Sequence, residues 1–175
     1  MILAIALFTG ITLRTCKWEP LPIPGPGASQ ESQIKPMSPK VIFDSFNDSV
    51  VKIVTDTGSG SGFFVKNGRL IATCFHVISG AKQISVEGTH GKKWSVESVS
   101  FNKEQDAALL KLSEDTLRKP IPIGDVNKLQ PGDELDVIGS PLGFLTGSLT
   151  TGILSAKRAT DATEVLQITA AVSHH

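Results

Sequence analysis

The runs Gly62 to Lys66 (GFFVK) and Arg69 to Thr73 (RLIAT) meet across Asn67-Gly68, and this junction constrains the fold more than any other feature of the chain. A two-residue Asn-Gly connection places both turn residues at positive φ, with a twist that matches the flanking strands, so it commits the chain to an antiparallel hairpin. The same grammar continues on either side. Ser49 to Thr55 (SVVKIVT) reads as a preceding strand, and Gln83 to Val86, Trp94 to Phe101 and Ala107 to Leu112 (AALLKL) read as following ones. About six such strands suffice to roll into a small barrel. Past a polar, proline-containing connection from Ser113 to Pro131, three more strands are predicted at Glu134 to Ile138, Gly147 to Ala156 and Val165 to Ile168. Three strands are too few to close a second barrel. The 16 glycines and 10 prolines, with few aromatic residues, suit this loop-rich all-β reading better than a helical bundle.

A chain of 175 residues can hold one domain of ordinary size plus a tail. Its first part reads differently from the rest. Met1 to Ile11 (MILAIALFTGI) is apolar but falls short of the about 20 residues that a membrane span needs. Residues 1–16 are therefore expected to be a signal peptide or a hydrophobic anchor, the signal-peptide core fitting the length better. No basic residue precedes the run, and Leu13-Arg14-Thr15-Cys16 is a poor lipoprotein box. Residues 17–44 form a Pro/Gly/Ser-rich linker whose composition cannot bury enough apolar area to offset its ordering. A first β-barrel over 45–118 and a partial second barrel over 119–175 complete the expected organisation. Export follows as the expected localisation, whether periplasmic, extracellular or membrane-anchored.

Seventeen Lys and Arg balance seventeen Asp and Glu, so no global field draws the chain to nucleic acid or to an anionic surface. Cys16 and Cys74 lie in very different segments, and their spacing supports neither a disulfide framework nor a zinc site with paired ligands. No cofactor or metal is expected. The run Gly58-Ser59-Gly60-Ser61-Gly62 lacks the Gly-Lys-Ser/Thr ending of a phosphate loop, and no helical pattern follows it, so a phosphate cradle is not expected.

Two residues stand where a side chain could do chemistry. His76 follows the strand RLIAT at a tight turn, a place favoured by functional groups, although a lone histidine there is more often structural or solvated. Asp106 stands directly before the apolar strand AALLKL, where a carboxylate needs a partner; turn capping would serve equally well. His90, in Glu87-Gly88-Thr89-His90-Gly91, is most simply solvated, and Cys74 is most simply a buried small residue.

The ordered series Ser49-Val50-Val51-Lys52-Ile53, Gly58 to Val65, the His76 turn, the Asp106 strand, Gly139-Ser140-Pro141-Leu142-Gly143, Leu149 to Ala156 and Val165 to Val172 resembles the HtrA/Deg group of trypsin-like serine proteases. The resemblance covers roughly Asp48 to the end of the chain. It implies a chymotrypsin-like double β-barrel, the first barrel complete and the second partial, with His76 as general base and Asp106 as its orienting carboxylate. The chain order His, Asp, Ser is that of chymotrypsin. The resemblance also implies that Gly58 to Gly62 is a strand-leading turn ahead of the histidine hairpin, glycine permitting positive φ and close backbone packing. The implied activity is that of a serine endopeptidase acting on proteins or peptides, with homo-oligomerisation and an N-terminal membrane anchor left open.

The resemblance also implies a departure. In the family the Gln167 to Val172 segment leads into the nucleophilic serine, which is expected just beyond His175 and is absent from these residues. Ser140, Ser148 and Ser173 lack the glycine context that an activated serine requires. The 175 residues by themselves are thus expected to be inactive. The alternative is a non-catalytic, protease-like module that binds extended peptides along a strand edge.

Overall fold

The structure, a computed structural model, describes residues 37–66, 68–139, 147–159 and 164–171. The signal or anchor segment 1–16 and most of the linker lie outside the described residues, as do Ser140, Ser173, His174 and His175. Helix α1 (Pro39–Phe46) comes first and corrects the expected linker, which was drawn to residue 44. Ser38 caps it through its side chain, Pro39 occupies its first turn, and Ile42 is only 1% exposed. The proline that read as part of a linker therefore starts a helix, because its fixed φ and missing N–H cost nothing in a first turn. Among the described residues no helix is long and apolar enough to cross a membrane.

Six strands follow: β1 (Val50–Thr55), β2 (Ser59–Lys66), β3 (Leu70–Thr73), β4 (Ile84–Glu87), β5 (Lys93–Asn102) and β6 (Ala107–Leu112). They close an antiparallel barrel in the order β1-β2-β3-β6-β5-β4. The predicted hairpin is β2–β3, with Phe63 opposite Ala72 and Gly68 at φ 59°. Closure is reached because the other edge of β3 pairs with β6 and not with β4, the next strand in sequence, while β4 returns to β1. Inward residues of every strand meet in one core: Val51, Ile53, Phe64, Ile71, Val86, Trp94, Leu110 and Leu112. Phe64 and Trp94 meet edge to face, with ring centres 5.9 Å apart.

Three further strands, β7 (Glu134–Gly139), β8 (Ser148–Ala159) and β9 (Glu164–Ile168), form an open antiparallel sheet in the order β7-β8-β9. The middle strand runs three residues beyond the predicted Ala156, kept in register with β9 to Ala159. Leu129, Leu135 and Leu154 make its own small core. A separate apolar cluster joins the two β-units: Ile42 of α1, Val50 of β1, Ile121 of the connection and Ile138 of β7. The Ile121 N–H also donates to the Phe64 carbonyl, clipping the connection onto the barrel (2.8 Å).

The β1–β2 turn is tied to the segment before β4 by Asp56, whose Oδ1 accepts from the N–H of Lys82 (2.8 Å) and of Gln83 (3.2 Å). These two amides, Lys82 foremost, hold its carboxyl below the ordinary 3.8. A carboxylate favoured in the folded state stabilises above the unfolded pKa, and that contribution is lost as pH falls through the lower folded value. The amide resonances of Lys82 and Gln83 should accordingly titrate together with a midpoint below 3.8, and Asp56→Asn should abolish that titration in NMR spectra.

Candidate active site

The β3–β6 ladder pairs Thr73 with Ala108. Strands in an antiparallel pair run oppositely, so the residues just after β3 and those just before β6 leave the barrel at the same rim. This is why His76 and Asp106, thirty positions apart, arrive together. After Thr73 the chain enters a single helical turn, α2 (Phe75–Ile78), whose Ile78 joins the barrel core together with the partly buried Val77. Burial of these two residues turns His76 outward.

Asp106 reaches the pair from a turn at φ 46°, a left-handed conformation that Asp tolerates better than most residues. Its backbone and side chain all face α2. The Phe75 N–H donates to the Asp106 carbonyl (3.1 Å), the His76 N–H donates to Oδ1 (2.8 Å), and Oδ2 lies 2.7 Å from Nδ1 of the His76 ring. The carboxylate thus holds both the main chain and the ring of the histidine. The imidazole is 48% exposed and the carboxylate side chain 24%, so the pair is reachable from solvent. An ionised carboxylate can only accept, so Nδ1 is the ring's donor and Nε2 its acceptor in the neutral imidazole.

Two neighbours were less legible. Cys74, 2% exposed, offers a sulfur that lies with a His76 ring nitrogen and an Asp106 oxygen inside a mutual span of 4.8 Å. Sequence spacing alone showed no metal-ligand pattern, because Asp106 joins the other two only on folding. Gly60 is the second. None of Gly58, Gly60 and Gly62 adopts positive φ, which corrects that part of the expectation for the glycine run, and Gly60 lies within β2. Its role is close approach: a Cβ there would fall 2.6 Å from Val77 Cγ2. Val77 is β-branched and stiff, so the clash would be passed to α2 and to His76. Gly60→Ala should cost about 1–3 kcal/mol. Adding Val77→Ala should recover most of that loss, as thermal melts of the four proteins in the cycle will show. His90, by contrast, sits exposed in a 3₁₀ turn at Thr89–Gly91, between β4 and β5, while Asp106 lies between β5 and β6.

The trypsin-like peptidase domain family matches residues 60–174, a stretch that holds the whole His76–Asp106 arrangement. The chain belongs to this family. Among curated relatives, this trypsin-like peptidase chain is similar to a protein of Rickettsia conorii described as a probable periplasmic serine endoprotease DegP-like. The two are 34% identical over 98 residues, 56% of this chain and 19% of that protein. It is also similar to serine protease HTRA1 of Xenopus laevis, 29% identical over 147 residues, 74% of this chain and 32% of that protein. Among solved structures, the crystal structure of Deg5 superposes with a TM-score of 0.66 at 27% identity, over 77% of this chain and 74% of that one. The HtrA/Deg resemblance and the double-barrel fold, with its first barrel closed and its second partial, are therefore borne out. The chain spans about a fifth to a third of the length of these curated relatives.

Proposed function

We propose that this chain is the histidine- and aspartate-bearing part of a serine endopeptidase that cleaves proteins or peptides through an acyl-enzyme. The observation that carries the reading is the 2.7 Å contact between Nδ1 of His76 and Oδ2 of Asp106 at an accessible rim of the barrel. Asp106 holds the ring in the tautomer with hydrogen on Nδ1, so Nε2 can take the proton of a hydroxyl nucleophile and later give it to the leaving amine. The carboxylate also stabilises the imidazolium formed in between. The hydroxyl is proposed to come from a serine following residue 175.

Export belongs to the same proposal, supported by the word periplasmic in the descriptions of relatives and by the apolar run Met1 to Ile11. Anchoring by that run is the membrane-attached version of it. Self-association is proposed through the outer edges of β7 and β9, which among the described strands pair only with β8.

The test is labelling with a fluorophosphonate, which traps only activated serines, on a chain extended through the codons that follow residue 175. One modified serine is expected, with labelling lost in His76→Ala. A folded, extended chain that takes no label would leave the peptide-binding module as the better account.

A further inference from the structure

We propose that Cys74, His76 and Asp106 together form a site for a thiophilic divalent cation of the zinc class, and that occupancy disables the histidine as a base. One thiol sulfur, one ring nitrogen and one carboxylate oxygen lie within 4.8 Å of one another. Sulfur, nitrogen and oxygen are the donors zinc takes, and three protein ligands with a fourth position open to water is a common zinc arrangement. Metal–ligand bonds of about 2.0–2.3 Å at a tetrahedral ion put neighbouring donor atoms about 3.3–3.6 Å apart. To reach that separation the 2.7 Å between Nδ1 and Oδ2 opens and the wider spacings, none above 4.8 Å, close by side-chain rotation.

The donors are also well mounted. Cys74 ends the chain segment leaving β3 and is held in the core, while Asp106 is fixed by its bonds to the main chain of Phe75 and His76. The half-exposed imidazole gives the ion a way in. Among the described residues this is the single group of three or more such donors. A Cys/His/Asp set favours soft ions over magnesium or calcium, which prefer all-oxygen sites.

Proton accounting explains the consequence. Binding replaces the thiol S–H by an S–metal bond, and that proton leaves to solvent. Coordination at Nδ1 displaces the hydrogen shared with Asp106, and a neutral ring must then carry its hydrogen on Nε2. That is the nitrogen a base needs empty. The binding itself stands without the proteolytic reading; only its inhibitory consequence rests on it.

Cadmium is the probe, because a cadmium–thiolate bond gives an ultraviolet charge-transfer band that other ligands do not. The chain should carry Cys16→Ser, His174→Ala and His175→Ala, so that neither the other cysteine nor the terminal histidines contribute. One equivalent of cadmium should produce a saturable band, displaced by zinc. Cys74→Ser should abolish it. His76→Ala, at a half-exposed position that leaves the core intact, should weaken cadmium binding at least about tenfold, since even residues that merely support a metal's ligands cost about 10- to 100-fold. Absence of a saturable band, or a band unchanged by His76→Ala in protein with a native circular dichroism spectrum, overturns the proposal. If Cys74→Ser fails to fold, the His76→Ala result alone decides. Because the readout is metal–thiolate absorption, it survives or fails independently of fluorophosphonate labelling.

Discussion

Asp106→Asn is expected to lower kcat for peptide hydrolysis about 10⁴-fold in a chain that carries the nucleophile, with little change in folding. The fold should tolerate the change for two reasons. Asparagine accepts a left-handed backbone as readily as aspartate, and residue 106 sits at φ 46°. Its amide oxygen can also still accept the His76 N–H that Oδ1 now accepts at 2.8 Å. The group that changes is the one facing Nδ1. An amide NH₂ there donates instead of accepting, which moves the ring hydrogen to Nε2 and removes the base. The measurement is kcat and KM on a fluorogenic peptide, beside the far-downfield proton resonance of an Nδ1–H bonded to a carboxylate. Both the rate and that resonance should be lost together. A variant retaining near-full kcat would contradict the assignment of Asp106 as the orienting group.

Phe64→Ala carries the largest expected effect on stability, a loss of about 3–5 kcal/mol. Phe64 is fully buried, is the bulkiest of the wholly enclosed side chains, and meets Trp94 edge to face at the centre of the barrel. Truncation removes both the transferred apolar surface and that ring contact, and leaves a void that six hydrogen-bonded strands cannot close around. A typical domain is stable by only about 5–15 kcal/mol, so the loss takes a large share of the total. Urea unfolding followed by Trp94 emission, with Trp18 replaced by Phe, should show a much lower midpoint at similar slope. Phe64→Met, which keeps most of the volume, should cost less than about 1.5 kcal/mol. A midpoint for Phe64→Ala within error of the parent would show that the barrel core is not packed as described.

The strands were legible in the sequence because they are rich in β-branched and other apolar residues and bounded by turn residues. Asn67-Gly68 marked the first hairpin, and AALLKL read as a strand from its apolar run, of which Ala108, Leu110 and Leu112 prove to be the buried positions. His76 and Asp106 could be nominated from their positions at strand ends. That they touch depends on β3 pairing with β6 instead of with its sequence neighbour on that side, a long-range choice that local pattern does not encode. Helix α1 was missed because its eight residues follow a proline-rich stretch, although Ser38-Pro39 carries a helix-start signal in its cap and first turn. The contribution of Gly60 was hidden for a different reason. A glycine needed for close approach looks, in one dimension, like a glycine needed for a turn, and only the position of Val77 separates the two.

The cluster that joins Ile42 to Ile138 also orders events during synthesis. The barrel draws all its strands from Val50 to Leu112 and can close as soon as that stretch is free. The helix is made earlier but is only eight residues long, too short to persist alone in water. One of its docking partners, Ile138, emerges about a hundred residues later, so this helix is fully docked only once β7 has been made. Until β7 arrives, the apolar side of α1 lacks the cover that Ile138 gives it.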